Sequence, residues 1–273
     1  MKLSVVLAVF NEEDVLATCL ESIKGLADEI IIVDGGSTDK TVEIAKKYGA
    51  KVFVTDNPPI FHINKQRAVD RAKGDWILQL DADEVVPEAL SIEIRTVIPA
   101  IEPGSRQEKD WIPGQARNDN GFNGYYVSRK NYFLWYWMRK GGQYPDYVVR
   151  LFKRGKGSFP QKSVHEQIVV DGPIGYLKTP LEHRPYTSFA EYWQKAHTYA
   201  MLRAREMAGV KLEVTPETFV QYYFLRPTKT FLNLYVRHKG FVDGIFGFLF
   251  ALFSAYQEPL AFRKYIQYGK NFN

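Results

Sequence analysis

Trp76-Ile77-Leu78-Gln79-Leu80-Asp81-Ala82-Asp83-Glu84 is an apolar run that ends in three carboxylates, two of them separated by a single residue. Like charges at the edge of a desolvated core repel one another and need a counter-charge, and the simplest is a divalent cation. If the run is a buried strand, Asp81 and Asp83 point to one side at its C-terminal end, where open α/β sheets place their ligands. Glu84 is one step out of phase and is expected to turn away as a supporting acid.

Working outward, this run is the fourth strand of an alternating series. Residues 3–10 read as a buried strand, and residues 13–24 as a helix with apolar positions Val15, Leu16, Leu20 and Ile23. A second strand, 29–34, stops at Gly35-Gly36, and Ser37 or Thr38 can cap a helix over 39–48. A short strand at 51–54 and a helix over 63–72 complete the series. Four strands alternating with three helices imply a parallel, right-handed α/β sheet, a nucleotide-binding layout. Asn11-Glu12 at the end of the first strand and Asp34 at the end of the second then converge with Asp81 and Asp83 on one edge. Magnesium or manganese, held by one or two carboxylates and bridging two phosphates, fits that edge and would stabilise a leaving diphosphate.

Beyond this half, Pro87 is read as the first residue of a helix reaching about residue 98. Residues 102–121 are polar and contain glycine and proline, so they read as a surface insertion. Strand patterns at 124–129, 147–152 and 163–170 would extend the sheet with antiparallel or mixed pairing, and a helix is expected over 188–207. From Phe219 onward, aromatic blocks alternate with Arg226 and with Arg237-His238-Lys239, and residues 241–256 are almost wholly apolar apart from Asp243. Helices that lie in a membrane interface have this composition, with rings at headgroup depth and Lys or Arg near anionic lipid. A helical subdomain packed on the sheet or across a dimer contact has it too, so the oligomeric state stays open.

The chain carries 36 basic and 31 acidic residues, a net charge of +5, and 15% aromatic residues. That balance suits anionic ligands or an anionic membrane surface. No basic helix, zinc spacing or aromatic-basic signature points to nucleic acid. Cys19 is the single cysteine, so no disulfide framework exists and a reducing cytoplasm is expected. The apolar N-terminus is too short for a signal peptide and fits a first strand better. No stretch reaches the uninterrupted span of about 20 apolar residues of a transmembrane helix. A nucleotidyltransferase is disfavoured, because Gly35-Gly36-Ser37-Thr38 is not a phosphate loop with a following lysine.

Three stretches in order, 5–13, 32–41 and 74–84, resemble the signatures of family 2 inverting glycosyltransferases with the GT-A fold. Val164-His165-Glu166 and the aromatic-basic tail are similar to the subgroup that adds glucose to the lipopolysaccharide inner core. The resemblance implies a Rossmann-like, mainly parallel sheet flanked by helices, with a C-terminal helical, membrane-associating extension. It implies that residues 1–100 bind the nucleotide sugar, 101–122 form an insertion, 123–210 bind the acceptor and 211–273 form the tail. Asn11, Glu12 and Asp34 would line the nucleotide pocket, Asp81 would lie by the ribose and metal, and Asp83 would ligate the metal. The family often has two successive acids after the second strand, whereas here Gly35 follows Asp34.

Lys65, Arg67 and Arg150 are candidates to meet the diphosphate, with Arg184 beside them, and their alternative is structural pairing. His183, or else His165, would be a further metal ligand. An inverting transfer needs one base to take the proton from the acceptor hydroxyl. Glu166 is the first candidate and Asp146 the second. The implied activity is transfer of a hexose, glucose from UDP-glucose, to a lipid-linked saccharide at the inner face of the cytoplasmic membrane, with magnesium or manganese. The alternatives are transfer to a polyprenyl phosphate, as in dolichol-phosphate mannose synthase relatives, and a non-catalytic nucleotide-sugar-binding membrane protein.

Overall fold

The computed structural model describes residues 1–58, 60–98, 121–160, 167–186 and 188–268. These fall into two units, one of residues 1–129 and 147–183, the other of residues 130–146 and 184–273. The division departs from the linear partition at residues 123 and 210. Strands late in the chain hydrogen-bond into the first unit's sheet, while the helix over 189–209 packs with the C-terminal helix in the second.

In the first unit β1 (Leu3–Val9), α1 (Leu16–Ser22), β2 (Glu29–Asp34), α2 (Thr41–Lys47), β3 (Lys51–Val54), α3 (His62–Asp70) and β4 (Trp76–Gln79) follow the expected order. All their pairings are parallel, and the strand order β3-β2-β1-β4 reverses direction between β1 and β4. Ligands of open α/β sheets bind outside the carboxyl ends of the strands at such a reversal. Asn11 and Asp81 follow the two strands that flank it.

β1, β4 and most of β2 are buried on both faces, which explains their continuous apolar runs, whereas the edge strand β3 is mostly exposed. Val5, Leu7, Trp76 and Leu78 join a core with Leu16, Leu20, Leu90 and Ile94, whereas Val6 and Ile77 join a core with Ala68 and Val69 from α3. Each fully buried Leu or Ile contributes about 1.5–3 kcal/mol. Gly74, just before β4, is required by close approach: a Cβ there would lie 2.6 Å from Ser4 Oγ and 2.7 Å from its backbone nitrogen.

The chain continues through β5 (Glu84–Val85), α4 (Glu88–Val97), β6 (Gly124–Phe133), β7 (Tyr136–Trp137), β8 (Asp146–Lys153), β9 (Gly157–Ser158), β10 (Val169–Val170), β11 (Ile174–Tyr176) and β12 (Leu181–His183). β8 pairs antiparallel with β4, β12 antiparallel with β5, and β11 parallel with β6, so the sheet is extended with mixed pairing as expected. The result is a mixed sheet flanked by helices. Pro87 is the cap before α4, in extended conformation, rather than its first helical residue. Most of the polar segment 102–121 and the first half of the strand expected over 163–170 lie outside the described residues, and Val169–Val170 of the latter form β10.

Glu29 ties the N-terminal edge of the sheet together, accepting from Ser4 Oγ (2.6 Å), the Lys73 amide (2.6 Å) and Lys51 Nζ (3.0 Å). Burial alone would raise its pKa, but the Ser4 hydroxyl, the Lys73 amide and the Lys51 ammonium outweigh burial and bring it from 4.5 to about 2. The unfolded chain therefore binds the extra proton between these values, and the stabilisation is present above pH 4.5 and lost as pH falls towards about 2. Glu29→Gln is expected to flatten the acid limb of a stability-versus-pH curve in that window. An unchanged acid limb in urea titrations would overturn this assignment.

In the second unit β7 folds back on the end of β6, pairing Tyr132 with Trp137 and Phe133 with Tyr136. α5 (Phe189–Gly209) starts where Ser188 accepts from the Glu191 amide, and α6 (Pro216–Val220) where Thr215 and Thr218 form a capping box. A π-helical turn (Gln221–Leu225), α7 (Arg226–Leu232), a second π turn (Asn233–Arg237) and a 3-10 turn (Gly240–Asp243) lead to α8 (Gly244–Tyr268). The segment Gly240–Tyr268 is long and apolar enough to cross a membrane by length and composition alone. The run is not an uninterrupted apolar one, since Asp243, Gln257 and Glu258 break it without removing its overall apolar character. Yet α8 buries Gly247, Ala251, Ala255, Ala261 and Phe262 within the unit, and Phe250 and Phe253 pack on Phe133. One-third buried in this way, the segment is weak ground for a transmembrane span.

Candidate active site

Asp81 follows β4 with both carboxylate oxygens engaged: Oδ1 pairs with Lys65 Nζ, and Oδ2 lies 2.6 Å from Arg150 Nη2. Register explains how Arg150 gets there. β4 and β8 pair Leu78 with Leu151, so the next step sets Arg150 opposite Gln79, and its Nη1 donates to Gln79 Oε1. The same Nη2 donates to Glu84 Oε1 at 2.6 Å, and Glu84 Oε2 accepts from the Asp81 amide at 3.0 Å. Arg129 Nη1 stands 3.7 Å from Glu84. Glu84 is thus a wholly buried acid that closes the 81–84 turn on Arg150.

The charge balance follows from this packing. Burial opposes ionisation of Asp81, but the Arg150 guanidinium and Lys65 ammonium outweigh it and hold the carboxyl well below the usual range. The Arg150 pKa is raised: burial would lower it, but Asp81 and Glu84 outweigh burial. Cys19, whose Sγ donates to the Asp81 carbonyl at 3.6 Å, is pushed up by burial and then by Glu84, Asp83 and Asp81, which leaves it an inert packing thiol.

Asp83 has different company. The antiparallel pairing of β12 with β5 sets His183 beside Glu84, and His183 Nε2 lies 3.5 Å from Asp83 Oδ2. Among the described residues no group of three or more His, Cys, Asp or Glu side chains converges as a metal cluster. The Asp83 carboxylate nevertheless suits magnesium or manganese, which keep waters and phosphate oxygens for their remaining positions, whereas the imidazole beside it is a poor ligand for magnesium.

At the other flanking strands Asp34 is fully buried and spends its carboxylate locally. Oδ2 accepts from the amides of Gly36 (3.0 Å) and Ser37 (2.9 Å), and Oδ1 from Ser37 Oγ. Asn11, at φ 54°, uses Oδ1 to accept from the Thr38 amide (2.9 Å), and its own amide donates to Ser37 Oγ (2.8 Å). The Glu12 amide donates to Thr41 Oγ1 (2.7 Å). These residues shape one loop pair beside the β1–β4 reversal. Arg67 is directed to Thr55, Asp56 and Asn64, so it braces the segment after β3.

The two candidate bases stand differently. Glu166 lies outside the described residues, as does His165. Asp146, in the second unit, accepts from Asn131 Nδ2 at 3.0 Å, and Arg184 stacks over the Tyr132 ring at 4.2 Å. Gln79 and Arg129 were not among the sequence candidates. A glutamine inside an otherwise apolar strand was the available signal for the first, and the second had none.

Residues 4–147 match the family described as Glycosyl transferase family 2. The chain belongs to this family. The lipopolysaccharide core biosynthesis glycosyltransferase LpsC of Rhizobium meliloti is 30% identical, over 93% of this chain and 91% of LpsC. Among solved structures, S. aureus TarS 1–349 is 14% identical over 96% of this chain and 91% of that one, with a TM-score of 0.48. Glucosyl-3-phosphoglycerate synthase from Mycobacterium tuberculosis, solved with Mn2+ and UDP-glucose, is 22% identical over 48% of this chain and 44% of that one, with a TM-score of 0.34. As a family 2 member the chain is a glycosyltransferase.

Proposed function

We propose that this glycosyltransferase moves a hexose, glucose from UDP-glucose, with inversion onto a lipid-linked saccharide of the lipopolysaccharide-core type at the cytoplasmic membrane face. The observation that carries the reading is the LpsC likeness, which runs through both halves of the chain rather than the nucleotide half alone. Asn11, Glu12, Asp34 and Asp81 form the nucleotide side of the site, and Lys65 and Arg150 neutralise its carboxylates. Asp83 and His183, with Asp81 adjoining, would hold magnesium or manganese. Bound there, the cation would offset charge on the departing diphosphate. The acceptor hydroxyl gives its proton to a carboxylate from the second half of the chain, Glu166 or, in its place, Asp146.

The test is mass spectrometry of products after incubation with manganese, a panel of sugar nucleotides and core-type glycolipid or its lipid-free oligosaccharide. A mass gain of one hexose on the saccharide, dependent on UDP-glucose, is the expected result. A sugar monophospholipid product would overturn the acceptor, and tight nucleotide-sugar binding without turnover on any acceptor would overturn the enzyme reading.

A further inference from the structure

The second unit carries an apolar surface that its own packing leaves uncovered. Phe224, Leu225, Thr228, Lys229, Leu232, Asn233, Val236 and Arg237 line one shallow groove along α7 and its flanking π turns. These positions repeat every four residues. An α-helix advances about 100° per residue, so a four-residue repeat drifts by about 40° per turn and would leave the face within three turns. The wider π turns at Gln221–Leu225 and Asn233–Arg237 take up that drift and keep the row aligned. Leu225, Leu232 and Val236 are 63%, 50% and 54% exposed.

The row is continuous with a second one. Phe248 of α8 meets Phe231 (5.7 Å) and Tyr235 (5.8 Å) edge to face, and Ile245, Phe248, Leu252 and Tyr256, spaced three or four apart, are all exposed on α8. Charge around these rows has one sign. Between residues 216 and 268 the basic residues are Arg226, Lys229, Arg237, Lys239, Arg263 and Lys264. Of the acids there, Asp243 and Glu258 are buried, Glu258 paired with Arg203, and Glu217 alone is exposed. An aromatic-aliphatic face rimmed by cations, whose long stems reach past the rings, fits an anionic lipid surface.

We infer that the exposed α7 and α8 rows are a membrane-docking face that lies in the interface of an anionic bilayer, Lys229 and Arg237 meeting the headgroups while Phe224, Leu225, Leu232 and Val236 enter the acyl boundary. This deepens the membrane-surface part of the proposed function and names where contact is made. α8 lies along the surface, because its small residues Gly247, Ala251 and Ala255 are buried within the unit and are not offered to lipid.

Sedimentation of the full chain with vesicles tests it, using phosphatidylcholine alone or mixed with phosphatidylglycerol. The wild type is expected to bind the mixed vesicles and to be released by high salt, since such attraction is screened. The Lys229→Gln, Arg237→Gln variant should bind weaker by roughly fivefold per charge removed. Leu225→Asn, Leu232→Asn, Val236→Asn should lose binding while circular dichroism and transfer to a lipid-free oligosaccharide are kept.

Wild-type protein that ignores anionic vesicles, or a triple variant that binds like wild type, overturns the inference. So does retention through an alkaline wash, which marks a spanning helix, and so does a dimer in sedimentation velocity that the triple variant dissolves without any vesicle binding. Vesicle binding needs no sugar nucleotide, and transfer to a lipid-free acceptor needs no vesicle, so the two readings fail separately.

Discussion

Alanine at Asp83 is expected to lower hexosyl transfer by roughly a thousandfold while the protein stays folded. The carboxylate stands just before β5, beside His183, and is 19% exposed, while Asp81 is clamped by both Lys65 and Arg150. A cation at a departing diphosphate supplies several kcal/mol, and about 4 kcal/mol corresponds to three decades in rate. A readout other than turnover separates this role from a structural one. UDP affinity by calorimetry should rise on adding manganese for the wild type and stay flat for Asp83→Ala, with affinity in chelator similar for both. Undiminished transfer by Asp83→Ala would remove the metal assignment. Lost transfer with the manganese effect intact would move Asp83 from metal ligation to contact with the sugar.

The parallel half was legible because buried strands and amphipathic helices leave different periods, and β1 to β4 with the helices between them occur where those periods place them. Ends were less legible: α1 starts at Leu16 rather than near residue 13, since Glu12 to Val15 form a turn first. The π turns left no trace, because Gln221–Leu225 and Asn233–Arg237 carry the same residues a plain α-helix would. α8 runs past Pro259, which punctuation argues against, because Leu260, Ala261 and Phe262 behind it are buried in the unit. At the site, the convergence of Asn11, Asp34 and Asp81 at the sheet edge could be read from strand order. The partners of Asp81 could not: Arg150 is 69 residues away, and only the antiparallel register of β8 on β4 brings it there. Composition offered a cation for the carboxylates and pointed to a metal, whereas the chain supplies two of the charges itself.

Arg150→Met is expected to destabilise the fold by about 3–5 kcal/mol, the cost of leaving a buried charge without its partner. Arg150 is 5% exposed and Glu84 is wholly buried, so water cannot replace the guanidinium. A loss of that size lowers the melting temperature by roughly 10 °C in a chain of this length. Glu84→Gln added to Arg150→Met should restore much of it, because the orphaned charge is then gone, and a double-mutant cycle measures the coupling directly. Arg150→Lys should fall between, keeping charge but losing the fork that holds Gln79, Asp81 and Glu84 together. The pH signature has a fixed sign. The folded Asp81 pKa lies well below 3.8, so the wild type keeps this stabilisation above that value and loses it only as pH falls further. The wild type should therefore narrow its stability advantage over Arg150→Met as the medium is acidified below pH 3.8. An arginine whose task is to meet the diphosphate would behave otherwise: its loss would weaken UDP binding and leave the melting temperature unchanged. That outcome would detach Arg150 from the 81–84 turn and make the turn self-supporting.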